Sequence, residues 1–173
     1  KVFIYFSTCS IYDSSKAESQ YVLHKLKMEQ IIIQLCPQYL ILRLSNAVGN
    51  GGNPNLLMNY LVRSVKNEEI INVHTKATRN LIDVEDIKNI TNQLIDKQYF
   101  NKIINIAYPE NYTIIEILEI MEKFYQTKLY LNLVKSGSGY GIDTHDVESY
   151  FIQHALTNKE TYLHKILEKY YSN

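Results

Sequence analysis

The 173-residue sequence predicts an α/β fold built on parallel strands, and three observations carry that reading. Short apolar runs alternate with longer segments of helical periodicity, the order expected when helices cross over between parallel strands. The run at residues 39–44 is apolar without alternation, as in a strand covered on both faces. No stretch repeats itself, and no low-complexity linker interrupts the order.

Residues 2–7 read as the first strand. A helix follows over 15–35, where Val22, Leu23, Leu26, Met28, Ile31, Ile32 and Leu35 recur at helical spacing, and Cys36-Pro37 ends it because proline cannot continue a helix. After the strand at 39–44, residues 49–54 form a turn-rich loop and 56–65 a helix. A short strand at 69–73, a loop to Arg79 and a helix at 84–95 come next, with Asp83 and Asp86 read as caps of that helix. Residues 103–107 are a third parallel-type strand. Thr113 with Glu116 three residues later is a capping box, opening a helix that runs to Tyr125 behind Ile114, Ile117, Leu118 and Met121. A strand at 129–134, a flexible surface loop at 137–141 and a closing helix at 162–171 complete the chain.

Four short motifs carry the chemistry. Ser7-Thr8 ends the first strand, and Tyr21 with Lys25 forms a YxxxK pair. Arg43, Asn46 and Gly49 form R-x-x-N-x-x-G, and Arg79 to Asp86 follows after an Asn55-Leu56 pair. With 15 tyrosines in the chain a YxxxK pair arises by chance, and a second one, Tyr12 with Lys16, is present. Context favours Tyr21/Lys25. It lies within the long helical segment, where an i, i+4 pair projects from one face, whereas Tyr12 precedes a turn-like Asp-Ser-Ser. Tyrosine is a poor base near neutrality unless a cation favours its phenolate, and Lys25 supplies that charge one helical turn away.

In this order the motifs resemble the extended short-chain dehydrogenases/reductases of the NAD-dependent nucleotide-sugar epimerase/dehydratase family, over most of the chain to about Tyr125. The resemblance implies the C-terminal part of a Rossmann-type parallel sheet with a small mixed substrate-binding subdomain. Residues 1–50 would be the second half of the Rossmann-type domain, with the catalytic Thr8 and the YxxxK helix. Residues 51–173 would be mostly substrate-binding, with the strand near 103–107 returning to the sheet. It further implies Thr8, Tyr21 and Lys25 as catalytic residues, Lys25 also holding the nicotinamide ribose of NAD or NADP. Asn46, Asn55, Leu56 and Arg79 would bind the nucleotide-sugar substrate, Arg79 through a bidentate bond to its diphosphate.

Departures from the family pattern matter too. Tyr21 lies thirteen positions after Thr8, a shorter spacing than many extended members carry, and Cys9-Ser10 replaces the acidic pair of the 4,6-dehydratases. Epimerisation or reduction is therefore favoured over dehydration. None of the six glycines, at 49, 51, 52, 137, 139 and 141, forms a dinucleotide fingerprint between a strand and a helix. The expectation is that the N-terminal cofactor half is absent and that either this half or a second copy of the chain covers the first strand. The alternative is an inactive or binding-only fragment without a dinucleotide site.

Composition narrows the classes. Equal numbers of acidic and basic residues give zero net charge, with no electrostatic footprint for nucleic acid, and no apolar run could span a bilayer. Two cysteines do not make a disulfide framework and fit a reducing, cytoplasmic setting; Cys9 reads as a small buried residue. The five histidines show no metal-ligand spacing.

Overall fold

Three parallel strands organise the computed structural model, which describes residues 1–172. Strand β1 (Phe3–Thr8) pairs with β2 (Tyr39–Leu44), and β2 pairs with β7 (Lys102–Ile106). Central β2 buries Leu40, Ile41 and Leu42 completely, the result expected of its unbroken apolar run. The architecture is the α/β, Rossmann-like one, with short two-stranded sheets extending from it. Strand β1 has a ladder partner on one side, and Phe3 and Phe6 on it are about half exposed.

Helix α1 (Gln20–Leu35) begins later than residue 15. Ser14–Lys16 forms a separate 3-10 turn capped by the Asp13 side chain, and Ser19 caps α1 through its bond to the Val22 amide. The helix buries Val22, Glu29 and Ile32 while Leu23, Ile33 and Leu35 face outward, so its apolar residues occupy more than one face.

Beyond β2 come β3 (Asn46–Val48), α2 (Leu57–Lys66), β4 (Ile71–His74), β5 (Thr78–Arg79), β6 (Leu81–Asp83) and α3 (Val84–Asp96). Strand β3 pairs with β6 in parallel. The strand expected at 69–73 starts at Ile71 because the helix C-terminus occupies the preceding residues, with Glu68 left-handed at φ 54°. Strand β8 (Tyr112–Thr113) pairs antiparallel with β5, and α4 (Ile114–Tyr125) opens on the expected capping box, with both reciprocal bonds made.

Strand β9 (Leu131–Val134) pairs in parallel with β4. The segment after it is the surface loop expected from its glycines, and backbone bonds hold it in place. Amides of Thr75, Lys76 and Thr78 donate to the carbonyls of Val134, Ser136 and Ser138, so the segment lies along the 75–78 backbone. Side chains would not fit there: a Cβ at Gly137 would stand 2.8 Å from the Ala77 backbone, and one at Gly139 would strike the Thr78 hydroxyl. Helix α5 (His145–Gln153) has no sequence-stretch counterpart among the expected elements, and α6 (Lys159–Tyr171) starts three residues early under an Asn158 cap. Tyr108 joins these helices to the sheet, stacked on Tyr162 at 4.3 Å and edge-on to Phe151 at 5.2 Å.

Candidate functional site

The carboxyl ends of β1 and β2 open onto a cavity of about 480 Å³, the end at which open parallel sheets bind ligands. Thr8 and Ser10 line it from β1 and the turn that follows, Tyr21 from the first turn of α1, and Ser45 and Asn46 from the end of β2. Leu56 to Asn59 form the facing side, and Tyr140 and Tyr171 complete the wall.

Thr8 is buried, and its hydroxyl oxygen accepts from the Ser10 amide at 3.1 Å, which leaves the hydroxyl proton for the cavity. Tyr21 is 56% exposed, with the Lys25 ammonium 5.8 Å from its ring centroid. Lys25 donates to the Phe6 carbonyl at 2.7 Å, one of its three protons.

Glu29 continues the line of Tyr21 and Lys25 along α1, four residues further on. Its buried carboxylate accepts from Ser7 Oγ at 2.5 Å and from Arg43 Nη2 and Nε at 2.6 and 3.0 Å. Arg43 Nη1 donates to the Tyr12 oxygen at 3.0 Å, and Tyr12 donates to Asn105 Oδ1 at 2.8 Å. Burial opposes the Arg43 charge, but the bonds to Glu29 and Tyr12 outweigh it and hold its pKa above the ordinary value. The two YxxxK tyrosines thus differ in surroundings: Tyr12 is engaged in this network and lines no part of the cavity, whereas Tyr21 faces it.

The expected substrate residues separate. Asn46 lines the cavity, its Nδ2 donating to the Asn80 carbonyl at 2.7 Å. Leu56 lines it as the cap residue of α2, and among the described residues this cap makes no side-chain hydrogen bond. The first amides of α2 therefore meet the cavity wall without a side-chain acceptor, at the positive end of the helix dipole. Asn55 lines neither this cavity nor a second one; its amide donates to Asn53 Oδ1. Arg79 lines the second cavity, about 260 Å³, beside Tyr60, Asn72 and His74, and donates to the carbonyls of Thr78 and Ser138. Leu57 borders both cavities.

Sequence reasoning did not find Ser10, Ser45, Asn59, Tyr140 or Tyr171. Ser45 was within reach, since it follows a recognised strand directly. Tyr140 and Tyr171 come from distant segments, and only the tertiary fold brings them here. Asn59 joins the two sides: its Nδ2 donates to the Gly51 and Asn53 carbonyls at 3.1 and 3.0 Å, and its Oδ1 accepts from Tyr171 at 2.8 Å. Cys9 is buried beside Thr8, and burial pushes its thiol up to about 12, which makes it a poor nucleophile. Asp83 caps α3 through the Glu85 amide, and Asp86 is buried and accepts from Tyr150 and Tyr162. Among the described residues no group of three His, Cys, Asp or Glu side chains could hold a metal ion, and no helix is long and apolar enough to cross a membrane.

A model of the NAD dependent epimerase/dehydratase family matches residues 1–107. No curated protein sequence matches the chain. UDP-glucuronic acid 4-epimerase from Bacillus cereus, solved with UDP-glucuronic acid and NAD, superposes with a TM-score of 0.78 at 23% identity, over 99% of this chain and 60% of that one. dTDP-glucose 4,6-dehydratase from Bacillus anthracis, solved with NAD, gives 0.72 at 18% identity over 96% and 61%. RMD from Pseudomonas aeruginosa, solved with NADPH, gives 0.69 at 16% identity over 97% and 65%. At these identities the likeness is one of fold, and the chain spans less than two thirds of each of these proteins.

Proposed function

Since the chain belongs to the NAD-dependent epimerase/dehydratase family of extended short-chain dehydrogenases, we propose that it is the C-terminal, substrate-side portion of an NAD(P)-dependent epimerase or reductase acting on a nucleotide-linked sugar. The observation that carries this reading is the single cavity onto which Thr8, Tyr21 and the uncapped N-terminus of α2 all open. On this reading Thr8 holds a sugar hydroxyl and Tyr21, in the same cavity wall, removes its proton in oxidation and returns it in reduction. Lys25 does not line the cavity; its ammonium, 5.8 Å from the Tyr21 ring centroid, supplies a positive charge that favours the phenolate. The diphosphate lies against the first amides of α2. On this reading Arg79 binds it from the second cavity, which takes the nucleoside; Leu57 borders both cavities.

The cofactor fits at one end. Lys25 has two protons beyond the one on Phe6, suited to the hydroxyls of a nicotinamide ribose. Nicotinamide, when bound, supplies the hydride acceptor. For its pyrophosphate the described residues offer no glycine turn opening a helix, which favours a second reading: a fragment that binds nucleotide sugar and takes up the dinucleotide only with further protein placed at the free side of β1. The free cysteines suit a reducing, cytoplasmic setting.

Calorimetric titration with UDP- and dTDP-sugars, each with and without NADH, tests these readings. We expect heat from at least one nucleotide sugar and none from NADH on this chain alone. Silence with every nucleotide sugar sinks both readings, and micromolar NADH binding sinks the second.

A further inference from the structure

The loop at 49–55 carries the one Asn-Gly step in the sequence, Asn50-Gly51. Both residues are exposed, and both line the larger cavity. Among the described residues neither the Asn50 side chain nor the Gly51 amide makes a hydrogen bond, whereas the Gly51 carbonyl is held by Asn59 Nδ2. Gly51 (φ 75°) and Gly52 (φ 85°) are both left-handed, and a Cβ at Gly51 would meet nothing within 4 Å. A backbone nitrogen and a side-chain amide carbon are thus adjacent in the chain, unpaired and unobstructed. Neighbouring asparagines each lack a part of this arrangement. Asn53 precedes Pro54, which has no N–H, Asn55 precedes the branched Leu56, and Asn59 has its amide hydrogens bonded to the Gly51 and Asn53 carbonyls.

We propose that Asn50 is a self-deamidation site, and that the carboxylate it yields weakens nucleotide-sugar binding in the adjoining cavity. Once a base in solution takes the Gly51 amide proton, the nitrogen attacks Asn50 Cγ; a C–N bond forms, the Cγ–Nδ2 bond breaks, and ammonia leaves with a proton from water. Water then opens the cyclic imide at either carbonyl, giving aspartate or, with the backbone rerouted through the side chain, isoaspartate. No oxidant, reductant or cofactor enters. The chain passes from zero net charge to one negative charge. The binding half of the proposal rests on the nucleotide-sugar reading above, in which the diphosphate lies against the first amides of α2 in this same cavity. A carboxylate there repels the diphosphate and competes with it for the positive end of the helix.

Incubation of the purified chain in mildly alkaline buffer, followed by mass spectrometry of the tryptic peptide 44–63, tests the chemistry. Asn50 should show the mass rise of an amide-to-acid exchange, in two chromatographically distinct linkages, before Asn53, Asn55 or Asn59 changes. If Asn50 keeps its amide as long as those neighbours do, the proposal falls. Asn50→Asp tests the consequence: affinity for UDP-glucose by titration calorimetry should drop roughly 2- to 10-fold at low salt, the scale of one exposed charge near a helix end, and the loss should shrink as salt is raised. An unchanged affinity, or a loss indifferent to salt, overturns the binding half. Asn50→Gln, whose longer side chain cannot close the same ring, should hold its mass and its affinity through the incubation; a decline in that variant too would assign the ageing to another group. Silence of the wild-type chain toward UDP-glucose overturns the binding half together with the parent reading, and the deamidation is then decided by mass alone.

Discussion

At the scale of single residues, Tyr12 and Tyr21 form a natural control for one another. The Tyr12 oxygen accepts from a guanidinium and donates to an amide, whereas Tyr21 is more than half exposed and makes no comparable bonds. Tyr12→Phe should therefore lower stability by about 1–2 kcal/mol, and Tyr21→Phe by less than about 0.5 kcal/mol, both read from urea denaturation. Under the proposed mechanism, turnover in a cofactor-competent enzyme reverses the order, Tyr21→Phe losing on the order of 10²- to 10⁴-fold. Equal stability losses would contradict the hydrogen-bond network drawn here. Helical context in the sequence favours Tyr21 over Tyr12, and in the fold Tyr21 lies in the first turn of α1 and lines the cavity at the ends of β1 and β2. Arg79 and Asn55 show the limit of such reasoning. Sequence order marks them as polar residues near a helix start, but whether a side chain meets a cavity depends on the tertiary fold: Arg79, held by the distant Ser138 carbonyl, lines the second cavity, and Asn55 lines neither.

Among elements, the register of α1 against the sheet is set by one buried acid. Glu29 ties Ser7 of β1 and Arg43 of β2 to the same helix that carries Tyr21 and Lys25. Glu29→Gln leaves the Arg43 charge without its carboxylate and should cost about 3 kcal/mol, as in other broken buried pairs; a shift in the urea midpoint smaller than a third of that would show the pair to be dispensable. The loop at 49–55 depends likewise on Asn59, whose amide hydrogens must face the Gly51 and Asn53 carbonyls and whose oxygen then faces Tyr171. Tyr171→Phe should speed amide exchange at Asn55 and Leu56 roughly 2- to 10-fold, without change in the β2 amides; unaltered exchange would mean that α6 does not restrain the loop. Elements with local signals were legible, the Thr113–Glu116 capping box and the proline stop after α1 among them. Helix α5 was not, because its buried Val147, Tyr150 and Phe151 are too few over nine residues to stand out as a period.

For the molecule as a whole, buried tyrosines act as structural donors, Tyr108 to the Leu156 carbonyl and Tyr150 and Tyr162 to Asp86. Burial, with Glu110 adding to it, raises Tyr108 to about 12; burial, with the bond to Asp86, does the same for Tyr150, and Tyr162 is pushed further up by burial and Asp86. These phenols stay protonated in the fold at a pH where the unfolded chain, near 10.0, has begun to lose its protons. Their contribution is complete below pH about 10 and is lost as pH rises through about 12. Urea midpoints across that window should fall steeply, with phenolate absorbance rising in step; a flat profile would count against the buried phenols. The same tyrosines impose an order on biosynthesis. Asp83 and Asp86 leave the ribosome 87 and 76 residues before Tyr170 and Tyr162, the donors that satisfy them in the finished fold. A growing chain that has not yet made α6 leaves Asp83 without its Tyr170 and Lys169 donors and Asp86 with Tyr150 alone, so the start of α3 should remain more open to protease in chains stalled before residue 159 and become resistant once the last helix has emerged.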